Sequence, residues 1–403
     1  MSTSTQQHVT VDRARTREVL ADLLRSRSVL GESTDCDRLV AGLMESLGFE
    51  VSSFRRPTYR GGRTVVARLR GDGDGPVVAF DGHYDTEPAD VGRWSVGPWS
   101  ATETDGRMIS RGAVDSKGSL AGMVLALEAI AKSGRSFSGD LMLLSPGDGE
   151  AEFGSSFLLA DGGYLDDIDY IISGEPTGLD EIGCSYLGSS LWRFSVKGKA
   201  AHATQPEFGV NAIGKAAQLV QAVEDGELTF RHEDHPFFTP FGIVHGIRNT
   251  AHAEIPDECT FIMIVFAVPG MTLTSIEEDL NAFVAKVKEK HPDVEADVSL
   301  IPRETHMWLP PLDEPLDSPV VKAIQDAAKE ITDTDAVATK MRIGYVAAAA
   351  MVTRLTGRDK RPVAITYGPG DYHEAHTVDE SVEVEEVAKF AEVYANAALA
   401  LVQ

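Results

Sequence analysis

Between residues 77 and 366 the chain repeatedly runs a short apolar strand into a loop that opens with a carboxylate or an imidazole. That recurrence limits the fold to a sheet whose strand ends can converge on one site, because open α/β sheets bind ligands beyond the carboxyl ends of their strands. The apolar run 77–80 leads to His83 and Asp85, with Gly82 expected to turn the backbone between strand and site. SRGAVDSKG sets Asp115 in a glycine-flanked loop ahead of an apolar helix over 120–131. Strand 141–144 enters SPGDGEAEFGSS, with Asp148, Glu150 and Glu152; strand 170–172 ends near Glu175; strand 363–366 opens toward His373 and His376. One such ending is ordinarily a hydrogen-bonded turn, but five in this order are hard to obtain from surface chemistry.

None of these positions is a cysteine. Oxygen and nitrogen donors without thiolate suit zinc, manganese or cobalt in a catalytic site better than a structural zinc cage. The segments GHYD, WSVGPWSATETDGRMISRGAVDSKG, EAEFG, GEPT, KAAHATQP and GPGDYHEAHTVDE make the chain resemble a group of metallopeptidases over about residues 11–402. The group comprises zinc-dependent aminoacylase, acetylornithine deacetylase, succinyl-diaminopimelate desuccinylase and glutamate carboxypeptidase. The resemblance implies two divalent metal ions, zinc first and manganese or cobalt as alternatives. His83 and Glu175 would hold one, Glu152 and His376 the other, and Asp115 would bridge them. It makes Asp85 the acceptor of the second imidazole N–H of His83, which sets the ring's tautomer. His202 would reach across a homodimer interface formed by the inserted domain and stabilise a developing oxyanion. His373 competes with His376 for the last ligand position. His376 is preferred because the family pattern continues into Thr377, Asp379 and Glu380.

The chain departs from that pattern where a general base is expected. Aligned on Gly154, the ligand is Glu152 and the base position is Ala151, which takes no proton. Three accounts stay open: Ala151 as an engineered replacement of glutamate, Glu150 or Asp148 acting instead, or a chain that binds without hydrolysing. The first is preferred. Phe266 and Ile264 stand where relatives carry the Arg and Asp of a carboxylate-gripping strand, and Ala253 replaces an Asn. The substrate end therefore reads as more apolar, with Arg342 a solvated cation or a substitute charge.

Organisation follows from periodicity. Helices are expected over 11–28 and 33–47, then strands alternate with helices to Glu175, which argues for a mixed or parallel sheet covered by helices. From about Cys184 the pattern becomes βαββαβ, a ferredoxin-like unit. Residues 302–319 read as a return linker rich in Pro and acid. The expected fold is α/β: a discontinuous catalytic domain of residues 1–185 and 306–403 with a mostly parallel sheet, and an inserted α+β lid or dimerisation domain of 186–305.

The 403 residues carry a formal net charge of −25, which excludes nucleic acid and anionic membrane surfaces as partners. MSTSTQQHVT lacks a basic stretch followed by an apolar core, and no apolar run reaches membrane-spanning length. Cys36, Cys184 and Cys259 are scattered and read as apolar fillers in a cytoplasmic protein. The expected activity is metal-dependent hydrolysis of a C–N bond in a small molecule or short peptide. Hydrolytic deamination of an aromatic amine and a silent metal-binding pseudoenzyme are the alternatives.

Overall fold

The computed structural model describes residues 8–30, 32, 34–55, 62–150, 154–232, 239–249, 254–302, 308–340 and 348–403. Among the described residues the chain forms two compact units, one of residues up to Ser185 and from Glu314 onward, the other of residues from Tyr186 to Asp313.

The first unit opens with helix α1 (Arg13–Arg25), whose N-terminus is capped by the Asp12 carboxylate accepting from the Ala14 amide. Helix α2 (Cys36–Ser46) and strands β1 (Glu50–Phe54), β2 (Thr64–Leu69) and β3 (Val77–Asp81) follow. The hairpin β4 (Thr102–Thr104) and β5 (Arg107–Ile109) precedes helix α3 (Lys117–Ser133). Strand β6 (Asp140–Ser145), helix α4 (Gly154–Asp161) and strands β7 (Tyr170–Ser173) and β8 (Glu181–Gly183) complete this half. Every residue of β6 is buried, as expected of a strand covered on both faces. Helix α3 is apolar almost all round, which suits a helix packed on α1, the sheet and the closing helix.

Strand β9 (Ser185–Tyr186) begins the passage into the second unit. There β10 (Gly188–Lys197), α5 (Ala212–Glu224), β11 (Phe241–Asn249), β12 (Glu258–Ala267), α6 (Leu273–Lys290) and β13 (Glu295–Leu300) run βαββαβ. The antiparallel order β11-β12-β10-β13 is the ferredoxin-like arrangement. Burial alternates strictly along β12, so Phe261, Met263 and Val265 enter the core while Ile262, Ile264 and Phe266 stay half-buried on the opposite face. Asn211 caps α5, and a Thr272–Ser275 capping box starts α6. The segment expected to be only a linker contains β14 (Trp308–Leu309), which pairs with β10 at Ser189 and Ser190. Two residues are too few to show a period of two, so the strand was invisible in the sequence.

Strand β15 (Leu312–Asp313) leads back to the first unit, where α7 (Pro319–Thr332), β16 (Val337–Thr339), α8 (Ala348–Leu355), β17 (Val363–Thr366), β18 (Ser381–Glu383) and α9 (Val384–Leu401) finish the chain. The large sheet has the order β1-β2-β6-β3-β7-β17-β8-β16. Its centre, β6, β3, β7 and β17, is parallel, so these four carboxyl ends open on the same edge. Strand β2 is antiparallel to β6 and β8 to β17, making the sheet mixed. Among the described residues no helix is long and apolar enough to cross a membrane.

Candidate metal centre

His83 and Asp85 leave the end of β3 as the spacing predicts, but Gly82 serves a different purpose from the one expected. Its backbone is not left-handed. A Cβ there would lie 3.0 Å from the Met123 sulfur, so glycine permits the strand end to pass close over α3. His83 is then held from both sides: the Ser116 hydroxyl donates to its carbonyl at 3.1 Å, and the next amide, of Tyr84, donates to the Pro146 carbonyl at 3.1 Å.

Four strand ends and the loop before α3 bring their side chains together. His83 Nε2 lies 3.0 Å from Asp115 Oδ1 and 3.4 Å from Glu175 Oε1. His376 Nε2 lies 3.1 Å from Asp115 Oδ2 and 3.2 Å from Glu150. Two donor groups result, His83–Asp115–Glu175 and Asp115–Glu150–His376, and within each the ligand atoms lie within 4.8 Å of one another. Asp115 belongs to both, with one oxygen directed to each imidazole.

Burial makes this cluster hungry for positive charge. Desolvation, then the nearby Asp115, pushes Glu175 up to about 8 and Glu150 up to about 7. Burial alone would lower His83, yet hydrogen bonds to Asp115, Asp85 and Glu175 raise it well above its ordinary value. Bonds to Asp115 and Glu150 push His376 up to about 11. Asp115 is held below the usual carboxylate range: burial opposes this, but His376 and His83 override it. Three carboxylates around two imidazoles, with protons retained where water would remove them, are a donor set that fits divalent cations.

Asp85 departs in detail from the expected role. The atom nearest His83 Nδ1 is the Asp85 carbonyl oxygen at 3.1 Å, with carboxylate Oδ1 at 3.3 Å. The carboxylate accepts two amides, Gly149 at 2.8 Å and Glu150 at 3.0 Å. It therefore latches the loop that presents Glu150 as well as orienting the ring. Gly149 packs directly on that ring: a Cβ there would lie 2.3 Å from His83 Cγ. Asp148 Oδ2 accepts from Ser155 N at 2.9 Å, closing the same loop, and burial pushes the Asp148 acid up to about 6.

The structure brings His83, Asp115, Glu175 and His376 together. Ala151 and Glu152 lie outside the described residues, as do Ala253 and Arg342. Glu150, weighed in the sequence only as a substitute base, is the loop carboxylate beside His376 among the described residues. His373 is exposed and absent from both donor groups. In the second unit His202 is exposed, with Nδ1 2.8 Å from Thr204 Oγ1 and Nε2 3.8 Å from Glu254. There too Phe266 stacks on Phe241, centroids 4.9 Å apart. Sequence reasoning missed Gly149 and the bonding of Glu380; GDGE offered only a glycine beside acids, and Glu380 only a place in a pattern.

The model of peptidase family M20/M25/M40 matches residues 79–400. Acetylornithine deacetylase of Proteus mirabilis is 28% identical over 354 residues, covering 86% of this chain and 84% of the relative. A probable succinyl-diaminopimelate desuccinylase of Staphylococcus aureus is 26% identical over 408 residues, covering 95% and 96%. Among solved structures, the Bacillus subtilis YXEP protein, described as a dinuclear metal binding peptidase, superposes with a TM-score of 0.68 at 14% identity over 97% of this chain and 98% of that one.

Proposed function

The chain belongs to peptidase family M20/M25/M40, and from that premise we propose that it hydrolyses an amide C–N bond in a small molecule or short peptide. The observation that carries the reading is the sharing of the buried Asp115 between two donor groups. His83 and Glu175 would hold one divalent cation, His376 and Glu150 the other, with Asp115 common to both. Zinc is the first choice, and manganese or cobalt suits the same donors. Bound there, such a pair polarises a carbonyl and lowers the pKa of water.

The two carboxylates that flank Ala151, Glu150 and Glu152, divide the tasks that a family member gives to adjacent glutamates. Glu150 is the ligand, a choice supported by its place beside Asp115 and His376. Glu152, the ligand in the motif alignment, then carries the proton from attacking water to the leaving amine. Asp85 keeps the His83 ring and the Glu150 loop in register. His202 donates an N–H to the developing oxyanion, and the inserted unit serves as lid and homodimer contact. Edge strand β11, with Ile243 49% and Ile247 54% exposed, supports the dimer. The Phe241–Phe266 stack supports an apolar substrate end. A cytoplasmic location accords with three free cysteines, all buried.

The test is product release followed by mass spectrometry from pooled N-acyl amino acids, dipeptides and aromatic amides. It compares the zinc- or manganese-loaded chain with Glu150→Gln, Glu152→Gln and Ala151→Glu. The parent is expected to release an amine and a carboxylic acid. Glu150→Gln should bind one ion fewer, whereas Glu152→Gln should keep both ions and lose about 10²–10⁴-fold in kcat. The reverse pattern exchanges the two assignments. Turnover only in Ala151→Glu makes the parent a disabled hydrolase, and turnover in none of the forms refutes hydrolysis of these amides.

A further inference from the structure

Glu380 is fully buried and accepts four hydrogen bonds, which is the capacity of a carboxylate. Oε1 receives the amides of Val114 at 2.7 Å and Asp115 at 3.0 Å. Oε2 receives the Gly112 amide at 3.1 Å and Arg111 Nη1 at 2.7 Å. Its own carbonyl accepts the Ser110 amide at 3.0 Å. Arg111 is also buried; it lies 5.2 Å over the Trp94 ring and directs Nη2 to the His376 carbonyl at 3.4 Å.

These contacts join two loops far apart in the chain, one ending in Asp115 and the other beginning with His376. The second loop needs holding. His376 and Asp379 both have φ of +60°, a left-handed backbone that residues other than glycine adopt at a cost. Asp379 Oδ1 accepts the Ser95 amide at 2.9 Å, and Glu380 closes the loop immediately after it. By contrast His83 and Glu175 come directly from the ends of β3 and β7, positions set by the parallel ladder.

We propose that Glu380, with Arg111, is a positioning residue that sets Asp115 against His376 and thereby governs the affinity of the cation position these two share with Glu150. The inference rests on the two-metal reading. Asp115, whose amide Glu380 also holds, serves both positions, but among the other described ligand residues only His376 has its backbone tied in, through Arg111, so loss of Glu380 acts unequally on the two ions. A glutamine at 380 cannot reproduce the four acceptor contacts, because its amide nitrogen faces donors.

The test is zinc titration of the metal-free full-length protein against a competing chelator, resolving both binding steps, with circular dichroism to verify folding. The parent is expected to bind two ions. Glu380→Gln should bind one of them about 10–100-fold more weakly, the usual effect of losing a partner behind a ligand. The other ion should change much less. A folded Glu380→Gln protein with both affinities unchanged, or both weakened equally, overturns the proposal while leaving the two-metal reading intact. A parent that binds no ion overturns both. Should Glu380→Gln fail to fold, Arg111→Met keeps the carboxylate and its three amides; it should weaken the same single step by a smaller factor, and unchanged affinities there refute the tie. A purely structural role would lower the thermal midpoint without separating the two affinities.

Discussion

Substituting Gly149 by alanine tests whether the site depends on the loop lying flat against the His83 ring. The new Cβ would meet His83 Cγ at 2.3 Å, whereas ordinary contact begins at 3.4 Å, so ring and loop must separate by about 1.1 Å. The ring is restrained by Asp115, Glu175 and Asp85, so the loop moves. Withdrawal by that amount carries the Gly149 amide from 2.8 Å to beyond hydrogen-bonding reach of Asp85 and strains the adjacent Glu150 amide at 3.0 Å. A hydrogen bond to a charged group contributes roughly 1.5–3 kcal/mol, so losing one and weakening the other costs about 2–4 kcal/mol. Glu150 travels with the loop, and a displacement of about 1 Å near reacting groups can lower rate by about 10²-fold. Urea unfolding of the metal-free protein by circular dichroism reads the first effect, and zinc affinity with kcat on the released-product assay reads the second. An unchanged unfolding midpoint together with unchanged zinc affinity would refute the reasoning.

Lys117 is fully buried and its ammonium donates to the carbonyls of Leu23 at 2.9 Å and Ser26 at 2.6 Å, at the end of α1. Lys117→Met removes both donors and should cost about 2–4 kcal/mol in urea unfolding; parental stability would show that the carbonyls find other donors. Glu128 is held below the usual carboxylate range: burial opposes this, but hydrogen bonds from Lys132 and Arg15 override it. Its stabilising contribution is therefore present above its unfolded pKa of about 4.3 and is lost as pH falls through the lower folded value. Glu128→Gln should be less stable than the parent at pH 7, with the gap closing in acid; a gap independent of pH would contradict the assignment. His202→Ala should lower kcat far more than it raises KM, and equal effects on both would count against an oxyanion role.

The sequence exposed the scaffold because β3, β6, β7 and β17 are short, apolar and each followed by a chemically distinctive loop. The βαββαβ alternation was equally visible, since β12 carries an apolar run of strand length from Phe261 to Ala267. What remained hidden depends on contacts between distant segments. Nothing near Glu380 announces that its carboxylate binds the amides beside Asp115. The HxD spacing revealed Asp85 as a partner of His83, but not its grip on Gly149 and Glu150, which decides which loop acid faces His376. Gly82 was recognisable as a special position; its reason, the approach of Met123, is a property of packing that one-dimensional turn rules do not contain.

Strand β17 lies between β7 and β8, although more than the whole second unit separates it from them in the chain. During synthesis the centre of the large sheet must therefore stay incomplete until residues 363–366 leave the ribosome, with the buried edge of β7 unpaired in the meantime. The second unit is nearly contiguous and can form while the first waits. Long-range pairing of this kind is slow and leaves strand edges open to wrong partners. Because His376 and Glu380 follow that late strand, the donor set around Asp115 is completed only after the second unit and β17 have been made, so metal capture waits on both.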